Sequence, residues 1–246
     1  MPSYDFRTPR LYVEEALESN RQLTLNKDQA HYLINVLRLD PGDSVLIFNG
    51  RDGEWLATRA QSSRKSAILD LIEQTRTQPQ RGSIQFLFAP LKHARLDYLI
   101  QKAVEMGVDR IRPVITKHTQ VTRLNLDRMR ANIIEASEQC GILTVPELLP
   151  ELRLEELLAS WKASETLIFC DERAANQDPV ANLQKTKNGS VAVLIGPEGG
   201  FSDQEREKLS EIQSVIRLSL GPRILRADTA AVAALALVQA TIGDWC

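Results

Sequence analysis

The chain has 246 residues, 43% of them hydrophobic and 25% charged, an ordinary globular composition that excludes a disordered polymer. No apolar run approaches the roughly 20 residues that span a bilayer, and the first residues lack the apolar core of a secretory signal, so a soluble cytoplasmic protein without membrane contact is expected. The formal net charge of -2 argues at first against nucleic acid, but it is unevenly spread: residues 1–82 carry 11 Lys+Arg and 11 Asp+Glu, residues 92–130 carry 9 against 4, and residues 131–246 carry 10 against 17. The middle segment is thus a basic stretch that fits either solvated helix faces or a phosphate-binding surface.

In chain order, Asn26 with Gln29 forms a capping-box pattern, and Ala30, Leu33, Ile34 and Leu37 follow at helical spacing on one face. The turn Asp40-Pro41-Gly42-Asp43 leads to expected strands at 45–48, 55–59 and 67–72, a small β-rich module. The polar stretch 74–83, with Pro79 and Gly82, is the expected linker, dividing the chain into domains of 1–73 and 84–246. Beyond it strands and helices alternate: strand 84–89, helix 95–106, strand 111–115, helix 126–140, helix 154–161, strands 166–170 and 191–195, a helix opened by Ser202 and Glu205, strand 215–218, and an Ala-rich helix from Thr229. This order predicts an α/β domain on a mostly parallel sheet. Cys140, Cys170 and Cys246, like His31, His93 and His118, are scattered without ligand spacing, so neither a disulfide framework nor a metal site is expected.

Ligands of open α/β sheets bind beyond the carboxyl ends of strands, which directs attention to three late loops. The first continues from Cys170 into Asp171-Glu172, the second reads GPEGGFS from Gly196 to Ser202, and the third runs from Leu218 to Ala230 as LSLGPRILRADTA. Glycines in the second loop allow a close backbone approach to a ligand or merely a tight strand-to-helix turn. In the third, Asp228 or Thr229 can cap the last helix, whereas Arg226 has no such structural duty. The absence of a P-loop and of the three-glycine dinucleotide fingerprint disfavours a kinase, a P-loop ATPase or a common Rossmann enzyme.

Five blocks carry a resemblance over nearly the whole length: His31 to Arg38 with Gly42, QKAVEMGV at 101–108, EASEQCG at 135–141, Leu194 to Ser202, and Leu220 to Ala230. They resemble the RsmE family, the branch of the SPOUT methyltransferases that makes 3-methyluridine in 16S ribosomal RNA. Ile142, Asp228 and Lys117-His118-Thr119 depart from the family pattern. The resemblance implies a PUA-like β-barrel that binds RNA, followed by a trefoil-knotted parallel-sheet domain acting as a homodimer in the cytoplasm. It also implies S-adenosylmethionine as cofactor and 16S RNA, within the small ribosomal subunit, as substrate. The implied cofactor contacts are Phe169, Leu194, Ile195, Gly196, Glu198, Gly199, Gly200, Leu218, Leu220, Gly221, Ile224, Leu225 and Ala230.

Uridine N3 must lose its proton before it attacks well, so the site needs a base or a positive charge. Arg226 is the candidate for charge stabilisation, and Glu198 or Asp228 for proton acceptance; Glu198 can equally serve to orient its loop. Candidate RNA contacts are Arg7, Arg10, Lys92, Arg95, Lys102, Arg110, Arg112, Lys117 and Arg123. Two alternatives stay open: a SPOUT methyltransferase for another RNA position, and an RNA-binding assembly factor without catalysis. The last helix, with Ala230, Ala231, Ala233, Ala234, Leu235, Ala236, Leu237 and Val238, is more apolar than one buried face requires and is the expected dimer surface.

Overall fold

The computed structural model describes residues 7–60, 67–92, 94–121, 123–174, 178–186 and 189–245; His93 and Cys246 lie outside them. The chain forms two compact units, one from Met1–Gln80 with Ser137–Val145, the other from Arg81–Ala136 with Pro146–Cys246.

The first unit contains β1 (Arg10–Tyr12), β2 (Gln22–Thr24), α1 (Lys27–His31), β3 (Ser44–Phe48), β4 (Glu54–Arg59) and β5 (Ile68–Arg76). Its five-stranded sheet has the order β1-β3-β4-β5-β2, parallel between β1 and β3 and antiparallel elsewhere. The capping box forms as its spacing requires: the Asn26 side chain accepts from the Gln29 amide while the Gln29 side chain accepts from the Asn26 amide. The helix then widens into a π-helical turn, Tyr32–Val36. Ala30 and Leu33 still reach the core beside Val45, Ile47, Ala57 and Leu69, and Ile34 and Leu37 pack at its margin.

A buried charge cluster completes this unit. Glu54 accepts hydrogen bonds from Arg10 at 3.0 Å, from Arg76 at 2.9 and 2.5 Å, and from the Thr75 hydroxyl at 3.0 Å. Burial works to raise its pKa, but Arg76, Thr75 and Arg10 together hold it below the ordinary glutamate value. The candidate RNA contact Arg10 is therefore corrected: its side chain is only 7% exposed and is engaged with Glu54. The expected linker also begins later than its polar composition suggests, because Gln74 and Arg76 still pair with Trp55 and Glu54 in the sheet. Residues 137–145 join the same unit through bonds from the Tyr12 amide to Glu138, from Arg76 to the Gly141 carbonyl and from Gln78 to the Leu143 carbonyl.

The second unit is built on a sheet of β6 (Ile84–Phe88), β7 (Arg110–Ile115), β8 (Glu147–Leu148), β9 (Leu152–Arg153), β10 (Thr166–Cys170), β11 (Val191–Ile195) and β12 (Val215–Leu218). The order is β12-β10-β11-β6-β7-β8, with β9 pairing β7, and every pair is parallel. The helices are α2 (Ala94–Glu105), α3 (Leu126–Cys140), α4 (Leu154–Ala159), α5 (Pro179–Leu183), α6 (Asp203–Ser210) and α7 (Ala227–Ile242). The short β8, β9 and α5 have no counterpart among the expected elements, being too brief for a periodicity to register.

Strands β6 and β11 are buried at every position, as in a parallel sheet covered on both faces. Leu87, Leu194, Phe169 and Ala192 meet Leu154, Leu157, Phe201 and Leu209 on one side, while α2 and α7 pack together and α7 also meets β11. Helix α7 buries Ala227, Ala231, Ala234, Leu235 and Val238 along one stripe, the i, i+4, i+7 spacing of a single helical face. Ala233, Ala236 and Leu237 remain half-buried on the other face.

Candidate active site

The chain leaves β6 for β7 in one direction and later fills β10, β11 and β12 on the other side of β6. Strand order thus reverses between β6 and β11, and a crevice opens beyond the carboxyl ends of strands at such a switch point. On the β11 side of that point, beyond the carboxyl ends of β10, β11 and β12, lies a cleft of about 990 Å³, at the upper end of the roughly 300–1,000 Å³ of small-molecule sites. Its walls are Cys170, Asp171, Glu172 and Ala174 at the end of β10, Ile195 to Phe201 at the end of β11 and Leu218 to Ala227 at the end of β12, with Ala230 from α7 and Arg95 from α2.

The glycine loop is fixed from several sides. Ser202 caps α6 by accepting from the Glu205 amide, and the Glu205 carboxylate returns to the Ser202 amide and hydroxyl and accepts the Lys117 amide at 2.8 Å. Gly200 has φ +66°, a left-handed conformation that suits glycine, and the His118 ring nitrogen Nδ1 lies 3.2 and 3.0 Å from the Gly199 and Gly200 carbonyls.

Below the first loop sits a buried ionic knot of side chains. Asp171, with its side chain fully buried, is paired with Arg206 and with Arg217 at 2.5 Å, and Arg206 also reaches Glu172 at 2.5 Å. Cys170 also borders the cleft, but burial pushes its thiol up to about 12, so it stays protonated and offers neither thiolate nor base near neutral pH. The third loop is the least supported: Ile224 is 91% exposed, and a Cβ added at Gly221 would meet nothing within 4 Å.

Arg95, a candidate RNA contact by sequence, borders the cleft and is engaged with two carboxylates. From the first turn of α2 its guanidinium pairs with Glu198 of the glycine loop and, at 3.3 Å, with Asp228 in the first turn of α7. Arg226 is exposed on the cleft rim as the N-cap of α7, makes no capping bond with its side chain, and has no ion-pair partner among the described residues.

An RNA methyltransferase domain model matches residues 78–239 and an RNA methyltransferase PUA domain model matches residues 25–72. The chain belongs to the RNA methyltransferase family. It is 30% identical to the ribosomal RNA small subunit methyltransferase E of Rickettsia conorii, over 96% of this chain and 97% of that one. The crystal structure of a ribosomal RNA small subunit methyltransferase E from Neisseria gonorrhoeae, bound to S-adenosyl methionine, superposes with a TM-score of 0.86 at 29% identity, covering 98% and 100% of the two chains. A Legionella pneumophila methyltransferase structure in complex with SAM superposes at 0.82 with 30% identity, over 95% and 98%.

Within this RNA methyltransferase, Ile195, Gly196, Glu198, Gly199, Gly200, Leu218, Leu220, Gly221, Ile224, Leu225, Ala230 and Arg226 converge on the one cleft. Phe169 and Leu194 do not line it; both are fully buried beneath it, Phe169 edge-on to Phe201 with ring centroids 5.0 Å apart. Asp228 is joined to the cleft through Arg95 and also accepts the Thr229 amide at 2.9 Å. Asp171, Phe201 and Ser219 line the cleft without having been assigned a role from sequence.

Among the candidate RNA contacts, Lys92, Lys117, Arg123 and Arg7 are exposed. Lys102 instead bonds Glu105 at 2.7 Å and lies over the Tyr98 ring. Arg110 and Arg112 are half-buried on β7. The Arg112 Nε is buried with no hydrogen-bond partner among the described residues, and burial, with Arg110 nearby, lowers the Arg112 pKa.

Gly196, which lines the cleft, also leaves room for a core ring. A Cβ there would stand 2.4 Å from the Phe201 ring, a contact that forces the core to move. Gly196→Val is therefore expected to lower the melting temperature by several degrees as well as to abolish cofactor binding, on the order of 1–3 kcal/mol of overpacking. Thermal unfolding of the variant checks this, and an unchanged midpoint would refute the clash.

Proposed function

We propose that the chain methylates N3 of a uridine in 16S ribosomal RNA of the small subunit, with S-adenosylmethionine as methyl donor. The observation that carries the reading is the cleft in which a glycine loop, Glu198, Arg95 and Arg226 come together, with Asp228 joined through Arg95, in a chain of this family. The cleft suits such a cofactor: it has the required volume, backbone groups along the glycine loop, and open space at Gly221. Ile195, Gly196, Gly199, Gly200, Leu218, Leu220, Gly221, Leu225 and Ala230 would hold it, mainly by backbone and apolar contact, while Phe169 and Leu194 shape the floor from beneath. Bound there, the cofactor supplies a sulfonium-activated methyl group.

The protein's part is alignment and proton handling. Glu198 or Asp228 accepts the N3 proton, leaving the N3 electron pair for attack, and Arg226 stabilises the anionic ring. We further propose that the catalytic unit is a SPOUT domain with a trefoil knot, that the first unit is a PUA-like barrel, and that the protein works in the cytoplasm. The half-buried face of α7 supports pairing of two copies; a monomeric mass by light scattering would count against it. Among the described residues, no helix is long and apolar enough to cross a membrane.

Mass spectrometry of small-subunit RNA from a deletion strain tests the reading. The expected result is loss of one 3-methyluridine, restored by the wild-type chain; an unaltered modification pattern would overturn it. The exposed charges of Lys92, Lys117 and Arg123 support an RNA face there. Replacing all three by glutamine should reduce the slope of log affinity against log salt by about 2–3 and spare cofactor binding. An unchanged slope would move the face to Arg7.

A further inference from the structure

The two carboxylates offered for proton transfer are not independent, because one guanidinium holds both. Arg95 joins Glu198, on the loop after β11, to Asp228, at the start of α7, and itself forms part of the wall between them. The three side chains come from three different elements, α2, the loop after β11 and α7. Few other contacts brace the third loop, with Ile224 91% exposed and Gly221 in open space. A planar guanidinium fixes direction as well as distance, since its donors diverge in a rigid fork.

We infer that Arg95 is a positioning residue for methyl transfer, a clasp that aims Glu198 and Asp228 and draws the glycine loop and the third loop onto the bound reactants. The inference rests on the methyltransferase reading. In the step it serves, the N3–H proton passes to a carboxylate oxygen and the N3 electron pair forms the bond to the methyl carbon. The C–S electron pair returns to sulfur, and Arg95 itself gains and loses no bond. Its contribution is to reduce the conformations from which the carboxylate misses the proton, an effect on the rate at saturating cofactor. Ion pairs this exposed, with side-chain exposures of 32%, 44% and 17%, add little to global stability. A purely structural duty and a positioning duty therefore separate cleanly.

The test uses full-length Arg95→Met and Arg95→Lys. Without cofactor, amide hydrogen exchange in residues 196–201 and 219–228 should quicken in the methionine variant, while the melting temperature stays within about 2 °C. With small subunits and saturating S-adenosylmethionine, the single-turnover rate should fall by about thirtyfold or more, and lysine should recover part of it. Glu198→Gln and Asp228→Asn should each cost far less in the methionine background than in the wild type, because the clasp that gave them direction is gone. Unchanged exchange in both loops, or rate losses that simply multiply, would overturn the assignment. A wild-type protein that transfers no methyl group would sink the functional reading alone, leaving the exchange measurement to decide whether Arg95 is the clasp.

Discussion

Arg226→Ala should lower the single-turnover rate by on the order of a hundredfold or more while cofactor affinity stays within a few-fold. The expectation follows from where the side chain stands. It caps α7 by position but makes no capping bond, it lies on the cleft rim, and the acidic partners that could have immobilised it, Glu198 and Asp228, are held by Arg95 instead. A guanidinium left toward solvent at that rim can meet a uridine whose ring is becoming anionic, and such help is greater in the transition state than in the ground state. Lysine keeps the charge without the planar fork and should rescue only partly. Measuring single-turnover rate and cofactor affinity on the same alanine variant settles the matter: a rate loss fully accounted for by weaker cofactor binding would mean that Arg226 merely holds the loop.

Asp171→Ala is expected to cost about 3–5 kcal/mol of stability and on the order of 10 °C in melting temperature. Asp171 has no exposed side-chain surface, and it is the carboxylate on which Arg206 and Arg217 converge. Burial already lowers the Arg206 pKa, with Arg217 as a further repulsive neighbour, so removing the carboxylate leaves a desolvated guanidinium beside a second positive charge, offset only by the exposed carboxylate of Glu172. Most of the cost comes from Arg206, because the 43% exposed Arg217 can turn to water. The same change should weaken cofactor binding, since the loop it anchors is one wall of the cleft. Thermal unfolding with calorimetric titration checks both, and a variant that melts with the wild type would show that the cluster is dispensable.

Many strands and helices of both units were legible because their signals are local. The capping boxes at Asn26 and Ser202 and the apolar runs of β6, β10 and β11 need only neighbours in sequence, and they appear where the pattern puts them. The three late loops were legible for the same reason, each lying directly after an apolar strand. Pairings across long separations were not. Nothing near Arg10 or Arg76 announces Glu54 as their common partner, so an arginine that reads as a phosphate contact proves to be an internal ion. Likewise Arg95 looked like one more charge in a basic segment, and only the reversal of strand order brings it against residues more than a hundred positions later. Phe169 and Leu194 show the converse: sitting next to loop residues in sequence, they alternate inward and end beneath the site rather than in it.

The sheet order also has a consequence for biosynthesis. The middle of the sheet, β6 with β11, is flanked by β10 and finally by β12, the last strand to emerge, and α7 must then fold back so that Gln239 can bond the Met106 and Gly107 carbonyls. Domains tend to fold from the amino terminus as the chain appears, so the first unit can gather most of its residues early, awaiting only 137–145. The cleft cannot do so, because its third wall begins at Leu218. A nascent chain whose last helix still lies in the exit tunnel therefore has two walls of the cleft and lacks the third.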